Sequence, residues 1–95
     1  MIKSFSCHNT ASLFDGYFNR VQGIPQTVWS TACRKLDMLN SASELKDLLS
    51  PPGNRLEKLR GKFEGWYSIR VNDQYRVVFQ FENGNAHSVK IIDYH

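Results

Sequence analysis

Long apolar runs are missing from this chain. No stretch of 18 apolar residues is present, which excludes a transmembrane helix. The opening Met1-Ile2-Lys3-Ser4-Phe5-Ser6 lacks the apolar stretch of a secretory signal. Cysteine is scarce: Cys7 and Cys33 are too few for a disulfide framework and read as reduced thiols of a cytosolic protein. Histidine is scarce as well. Cys7-His8 invites a metal, but a site needs three or four ligands at sensible spacing, and His87 and His95 are the only other imidazoles. Neither a metal nor another cofactor is expected. There is no internal repeat and no low-complexity segment. With 95 residues the chain has room for one small domain, residues 1–95, and not for a multidomain enzyme with a separate cofactor lobe.

What the chain has in surplus is aromatic residues, six Phe, four Tyr and two Trp, which help a small domain build a core. Lys and Arg number 12 against 9 Asp and Glu, a formal +3. That balance is a mild hint of a polyanionic partner.

The pattern changes at Ser50-Pro51-Pro52-Gly53-Asn54, where two prolines and a glycine make a loop. Before it the chain reads as helical, after it as extended. Ile2–Phe5 suits a short first strand. Asn9 or Thr10 caps a short helix with Leu13, Phe14, Tyr17 and Phe18 on one side. After Gly23-Ile24-Pro25, with Pro25 suited to a first helical turn, Val28, Ala32, Leu36 and Leu39 form an apolar stripe widened by Trp29 and Cys33. Arg34, Lys35 and Asp37 fall mainly on its polar side. Ser43, Glu44 and Asp47 open a third short helix through Leu48-Leu49.

The second half predicts an antiparallel meander. Asn83-Gly84 suits a type I′ hairpin turn between strands near 75–81 and 86–92. A three-residue turn at Asn72–Gln74 joins 66–71 to the first of these. In that register Tyr67, Ile69 and Val71 oppose Phe79, Val77 and Tyr75, and Phe81 and Tyr75 oppose Ala86 and Ile92. One face, to be covered by the long helix, carries Tyr67, Ile69, Val71, Tyr75, Val77, Phe79, Phe81 and Ile92. The other carries Trp66, Ser68, Arg70, Arg76, Val78, Gln80, His87, Val89 and Ile91. The fold class is therefore α+β, N-terminal helices on a small, mainly antiparallel curved sheet.

Three features could carry chemistry. Arg70 falls opposite Arg76, and like charges across a ladder are destabilising. Either a carboxylate relieves them, with Asp93 or Glu64 as candidates, or the face receives an anion. Asn54–Lys62 holds four basic residues and one acidic, a local +3. If Leu56 and Leu59 anchor it, Arg55, Lys58, Arg60 and Lys62 are free to meet phosphates. Phe63, Trp66 and Tyr67 beside them suit single-stranded RNA, whose bases stack on rings; a solvated charged segment is the plainer alternative. Finally, Ile91-Ile92-Asp93-Tyr94-His95 puts a Tyr-His pair after an apolar strand. Histidine moves protons near neutral pH, and a phenol does so when cations lower its pKa; a frayed terminus is the plainer alternative. The period-2 register sets Arg76 and His95 on one face and Tyr94 on the core face, so Tyr94 reaches RNA only if the last strand bulges or ends early.

Several linked motifs resemble the HigB branch of the RelE/ParE toxin superfamily. They are the opening Met1-Ile2-Lys3-Ser4-Phe5, the segment Leu56-Glu57-Lys58-Leu59-Arg60-Gly61, the hairpin Gly65-Trp66-Tyr67-Ser68-Ile69-Arg70-Val71-Asn72-Asp73-Gln74-Tyr75-Arg76 and the ending Asp93-Tyr94-His95. The resemblance is strong from Pro51 onward and looser in the helices. It implies the RelE-like fold and a ribosome-dependent mRNA interferase of bacterial cytoplasm. Such a toxin enters the ribosomal A site and cleaves messenger without a metal, by attack of the 2′-hydroxyl on the adjacent phosphate. It implies as partners the ribosome and mRNA, and a HigA-like antitoxin with a helix-turn-helix domain. Operator DNA would be bound only by the toxin–antitoxin complex.

By the same resemblance Arg76 is the phosphate-binding arginine, Arg60 a second bidentate donor where relatives often have lysine, and Tyr94 and His95 the terminal catalytic pair. A phosphorane gains negative charge, which fixed cations stabilise. Arg55, Lys58, Lys62, Arg70 and Trp66 are the expected RNA contacts. The chain departs from members that carry histidine at the position of Glu57. Either Glu57 substitutes for that histidine, pairs with Arg60, or leaves more of the proton transfer to His95. A non-enzymatic growth inhibitor of the ParE kind, or a degenerate toxin acting only as an antitoxin-bound co-repressor, are the alternatives.

Overall fold

The computed structural model describes residues 1–94. Helix α1 spans His8–Asp15 and α2 spans Trp29–Ser41. Four strands follow: β1 (Glu57–Lys58), β2 (Tyr67–Arg70), β3 (Tyr75–Glu82) and β4 (Asn85–Asp93). They form one antiparallel sheet in the order β1-β2-β3-β4. The N-terminal segment runs along the outer side of β4 through parallel bridges, Ile2 to Ala86 and Phe5 to Val89. It is a pair of isolated bridges at the place of the short strand expected, held by bonds such as Lys3 N to Ala86 O at 2.8 Å and Ser6 N to Val89 O at 3.0 Å.

The apolar stripe of α2 behaves as its spacing requires: Val28, Ala32, Leu36 and Leu39 are buried against Ile69, Val77 and Phe79 of the sheet. Burying each of the Val, Leu, Ile and Phe side chains among them stabilises by about 1.5–3 kcal/mol. Several local expectations need correction. Cys7, not Asn9 or Thr10, precedes α1; the Asn9 carboxamide instead accepts from Gln22 N and the Thr10 hydroxyl from Ile91 N. α1 stops at Gly16, whose φ of 83° ends a helix without steric cost. Tyr17 and Phe18 therefore lie beyond it and are exposed. Pro25 precedes a short 3₁₀ turn, Gln26–Val28, ahead of α2. The third helix is a 3₁₀ turn, Leu45–Leu49, closed by a reciprocal Glu44–Asp47 capping box. Lys35, assigned to the polar side of α2, is buried because a buried asparagine, Asn54, accepts its ammonium at 2.6 Å.

The β2–β3 register is as expected, with Tyr67 opposite Phe79, Ile69 opposite Val77 and Arg70 opposite Arg76. The Asn83-Gly84 turn also holds, with φ of 52° and 78° and Phe81 opposite Ala86. The register then slips. Gln80 pairs with His87 but Val78 pairs with Lys90, so Ser88 and Val89 together face Phe79. This β-bulge, with Ser88 at φ 55°, inserts one residue and reverses the alternation beyond it. Tyr75 consequently faces Asp93 and Arg76 faces Ile92. Val89 and Ile91 join the core, opposite to expectation, while Lys90, Ile92 and Tyr94 move to the face of Arg76. That face is not bare. Val78, Ser68 and Leu59 are buried there, outside the main core cluster, in the region of the 59–66 segment.

Candidate active site

The β2–β3 turn builds the first part of the site. The Asn72 carboxamide oxygen accepts from Gln74 N at 2.9 Å and Tyr75 N at 2.7 Å, which fixes the three-residue turn and hence the Arg70–Arg76 pairing. The two cations are relieved by carboxylates other than those expected. Arg70 Nη2 reaches Asp73 Oδ1 at 2.5 Å, and Arg76 Nη1 lies 3.7 Å from Glu57 Oε1. Asp93, one of the two expected bridges, accepts from Gln74 Nε2 at 3.0 Å. Arg76 is only 8% exposed. Its Nη2 donates to the Arg55 carbonyl at 2.5 Å, and its Nε is buried with no partner among the described residues. A guanidinium so enclosed has one orientation, which is what recognition of a phosphate by geometry needs.

The bulge in β4 supplies the second part. Tyr94 N donates to Gln74 O at 2.6 Å, pinning the strand end to the β2–β3 turn. The Tyr94 ring faces the Arg76 guanidinium, 5.2 Å from Cζ to centroid, within cation–π range. Its hydroxyl donates to Glu57 Oε1 at 3.1 Å. That hydrogen bond, and then the Glu57 charge, hold the phenol above its ordinary value; Arg76 opposes them less strongly. The expectation of a cation-lowered phenol is therefore reversed, and the Tyr94 hydroxyl is held in its protonated, hydrogen-bond-donating form. The partners of Glu57 are Arg76 and Tyr94, so of the alternatives left open for it, pairing with Arg60 is not the one found.

Around this centre the sheet edge is indented by adjoining clefts. One of about 270 Å3 is lined by Arg55, Arg70, Asn72, Asp73, Arg76 and Tyr94. A second, about 340 Å3, lies between Glu57, Lys58, Leu59, Arg60 and Tyr94. A third, about 540 Å3, takes in Arg60, Lys62, Phe63, Ile92, Asp93 and Tyr94. Tyr94 is shared by all three. Leu59 is buried and Leu56 packs on the core, so the basic segment is anchored as expected. Arg55, Lys58, Arg60 and Lys62 are exposed. Trp66 stands apart from the arginines, edge-on to Phe63 at 5.7 Å. Lys90 Nζ sits over both rings, at 5.3 Å from Phe63 and 5.8 Å from Trp66. Lys90 had no place among the expected site residues. The signal was present in the apolar spacing Ala86, Val89, Ile91, three and then two, which a bulge explains and a regular strand does not. His95, expected beside Tyr94, lies outside the described residues. Among the described residues no three His, Cys, Asp or Glu side chains converge to hold a metal ion.

Residues 3–95 match the HigB-like toxin family, described as the RelE-like toxin of type II toxin–antitoxin system HigB. The chain is 49% identical over 63 residues to Toxin HigB-1 of Vibrio cholerae, a stretch covering 66% of each chain, just under two thirds of that protein. It is 33% identical over its whole length, and that of the relative, to Endoribonuclease HigB of Proteus vulgaris. In fold it is similar to a chain of the YoeB-YefM toxin–antitoxin complex from Staphylococcus aureus, with a TM-score of 0.61 at 15% identity, covering 100% of this chain and 98% of that one. The chain belongs to the HigB-like family of RelE-like toxins of type II toxin–antitoxin systems.

Proposed function

We propose that this toxin is a ribosome-dependent mRNA endonuclease. It cleaves messenger in the A site by attack of a ribose 2′-oxygen on the adjacent phosphorus. The observation that carries the reading is the grouping of the enclosed Arg76 guanidinium with the Tyr94 phenol and the Glu57 carboxylate at the meeting of three cationic clefts. The full-length likeness to a relative named an endoribonuclease supports it. In the reaction a 2′-O–P bond forms and the P–O5′ bond breaks, leaving a cyclic phosphate and a free 5′-hydroxyl. The 2′-hydroxyl proton goes to an acceptor, the role of Glu57, and the departing 5′-oxygen takes one from a donor, the role of Tyr94. RNA must separate these two groups, which are bonded to each other in the free protein. Arg76 and Arg60 stabilise the charge that grows on the phosphorane, and His95 assists proton transfer. Arg55, Lys58, Lys62 and Arg70 hold the flanking phosphates and Trp66 a base. Ribosomal RNA covering the clefts excludes water and strengthens each term.

Family membership also supports neutralisation by an antitoxin. We assign this to a HigA-like helix-turn-helix protein, whose complex with the toxin represses its own operator. With translating ribosomes and a defined messenger, the protein should cut at A-site codons, and Arg76→Ala should slow cutting by on the order of 100-fold or more. Wild-type rates in Arg76→Ala would sink the site assignment. Growth arrest with intact messenger would favour the non-enzymatic ParE-like reading.

A further inference from the structure

The side chains between α2 and the Pro52–Asn54 turn take no part in the chemistry above, yet they lead directly to it. Lys35 on α2 is 8% exposed, and its Nζ donates to Asn54 Oδ1 at 2.6 Å. Asn54 is fully buried, and its Nδ2 donates to the carbonyls of Leu48 at 3.2 Å and Ser50 at 3.4 Å. Acceptor and donor ends of the carboxamide are thus both used, in one orientation. An ammonium kept out of water is costly. Here burial, followed by the charges of Arg34 and Arg70, lowers its pKa. The next residue, Arg55, adopts φ 46°, ψ 54°, a left-handed conformation that residues with a side chain seldom take. The carbonyl of that same residue accepts Arg76 Nη2 at 2.5 Å. A continuous path therefore runs from α2 through Lys35, Asn54 and the Arg55 carbonyl to the guanidinium at the centre of the site.

We propose that Lys35 and Asn54 are positioning residues for Arg76. The buried pair clamps the turn in the one conformation that aims the Arg55 carbonyl at Nη2, so the guanidinium is fixed before RNA arrives. The catalytic consequence rests on the RNA-cleaving reading; the mechanical one does not. Misplacing a catalytic group by about 1 Å can cost on the order of 100-fold in rate.

The test compares Lys35→Met, which keeps the stem and removes the ammonium, with Lys35→Arg, which keeps a cationic donor. Both are checked for folding by circular dichroism. In arginine-detected nitrogen NMR of the isolated protein, a guanidinium held at Nη2 shows resolved Nη signals and a free one shows averaged signals. Wild type and Lys35→Arg should show resolved Arg76 signals, and Lys35→Met averaged ones. With ribosomes, Lys35→Met should lose on the order of tenfold or more in kcat, with KM unchanged, and Lys35→Arg should retain activity. Arg76 signals that stay resolved in Lys35→Met overturn the proposal, whatever the rate. If Lys35→Met does not fold, the wild type decides: averaged Arg76 signals there overturn the proposal, while resolved signals with full activity in Lys35→Arg support it. A wild type that cuts no messenger overturns the RNA-cleaving reading instead, and the NMR comparison still decides positioning.

Discussion

At the scale of single residues, the Tyr94–Glu57 hydrogen bond sets how firmly the phenol holds its proton. Because the folded pKa of Tyr94 is raised above 10.0, the stability of this contact is fully present below the unfolded value. It is lost as pH rises through the folded value. The difference between ultraviolet titrations of wild type and Tyr94→Phe should therefore reveal one phenol ionising above pH 10.0; a difference band at or below that value contradicts the assignment. Tyr94→Phe should also cut messenger more slowly by on the order of 100-fold, the usual contribution of a positioned acid. How much of this was legible differs by residue. Arg70 and Arg76 were readable because a turn of three residues fixes their pairing. The Tyr94–Glu57 hydrogen bond was not, because its partners stand 37 positions apart and come near only when the sheet forms. Lys35 shows an opposite error. It stands seven residues after Val28, on the apolar stripe, and its charge hid what its position stated.

At the scale of elements, the bulge in β4 is the device that separates this site from a plain sheet edge. Ile91 and Ile92 are both apolar, so alternation fits either face, and only tertiary packing chooses. Deleting Ser88 would restore regular alternation. Val89 would then face Phe79 alone while Lys90 stays opposite Val78 and Ile92 opposite Arg76, so Val89 and Ile91 keep the core face and Tyr94 keeps the face of Arg76. The deletion should keep messenger cleavage but lower the melting temperature through the lost Ser88 contacts to Ser4 and Ser6, measured together by reporter cleavage and calorimetry. A folded variant that loses cleavage would show that the site depends on the bulge itself and not only on the register beyond it. The rest of the sheet was readable because turn chemistry is local. Asn72 satisfies two backbone donors of its own turn, and Asn83 and Gly84 adopt the positive φ that a tight hairpin requires.

At the scale of the molecule, the formal +3 has a location. Arg55, Lys58, Arg60 and Lys62 make no ion pair among the described residues, whereas Arg70 and Arg76 are matched by Asp73 and Glu57. These four cations lie beside the clefts, so RNA held there would release their counterions. The double variant Lys58→Ala, Lys62→Ala should reduce the slope of log affinity against log salt for a single-stranded RNA by about 1.4, at about 0.7 per phosphate. An unchanged slope would place RNA elsewhere on the surface. No helix among the described residues is long and apolar enough to cross a membrane. One last feature concerns time rather than space. The first residues bind β4, with Ser4 and Ser88 joined across 84 positions. During synthesis the N-terminal segment must wait, unpartnered, until residue 88 has been made. Contacts so distant in sequence close late. A nascent chain therefore passes most of its elongation to residue 94 without an assembled Arg76–Tyr94 pair.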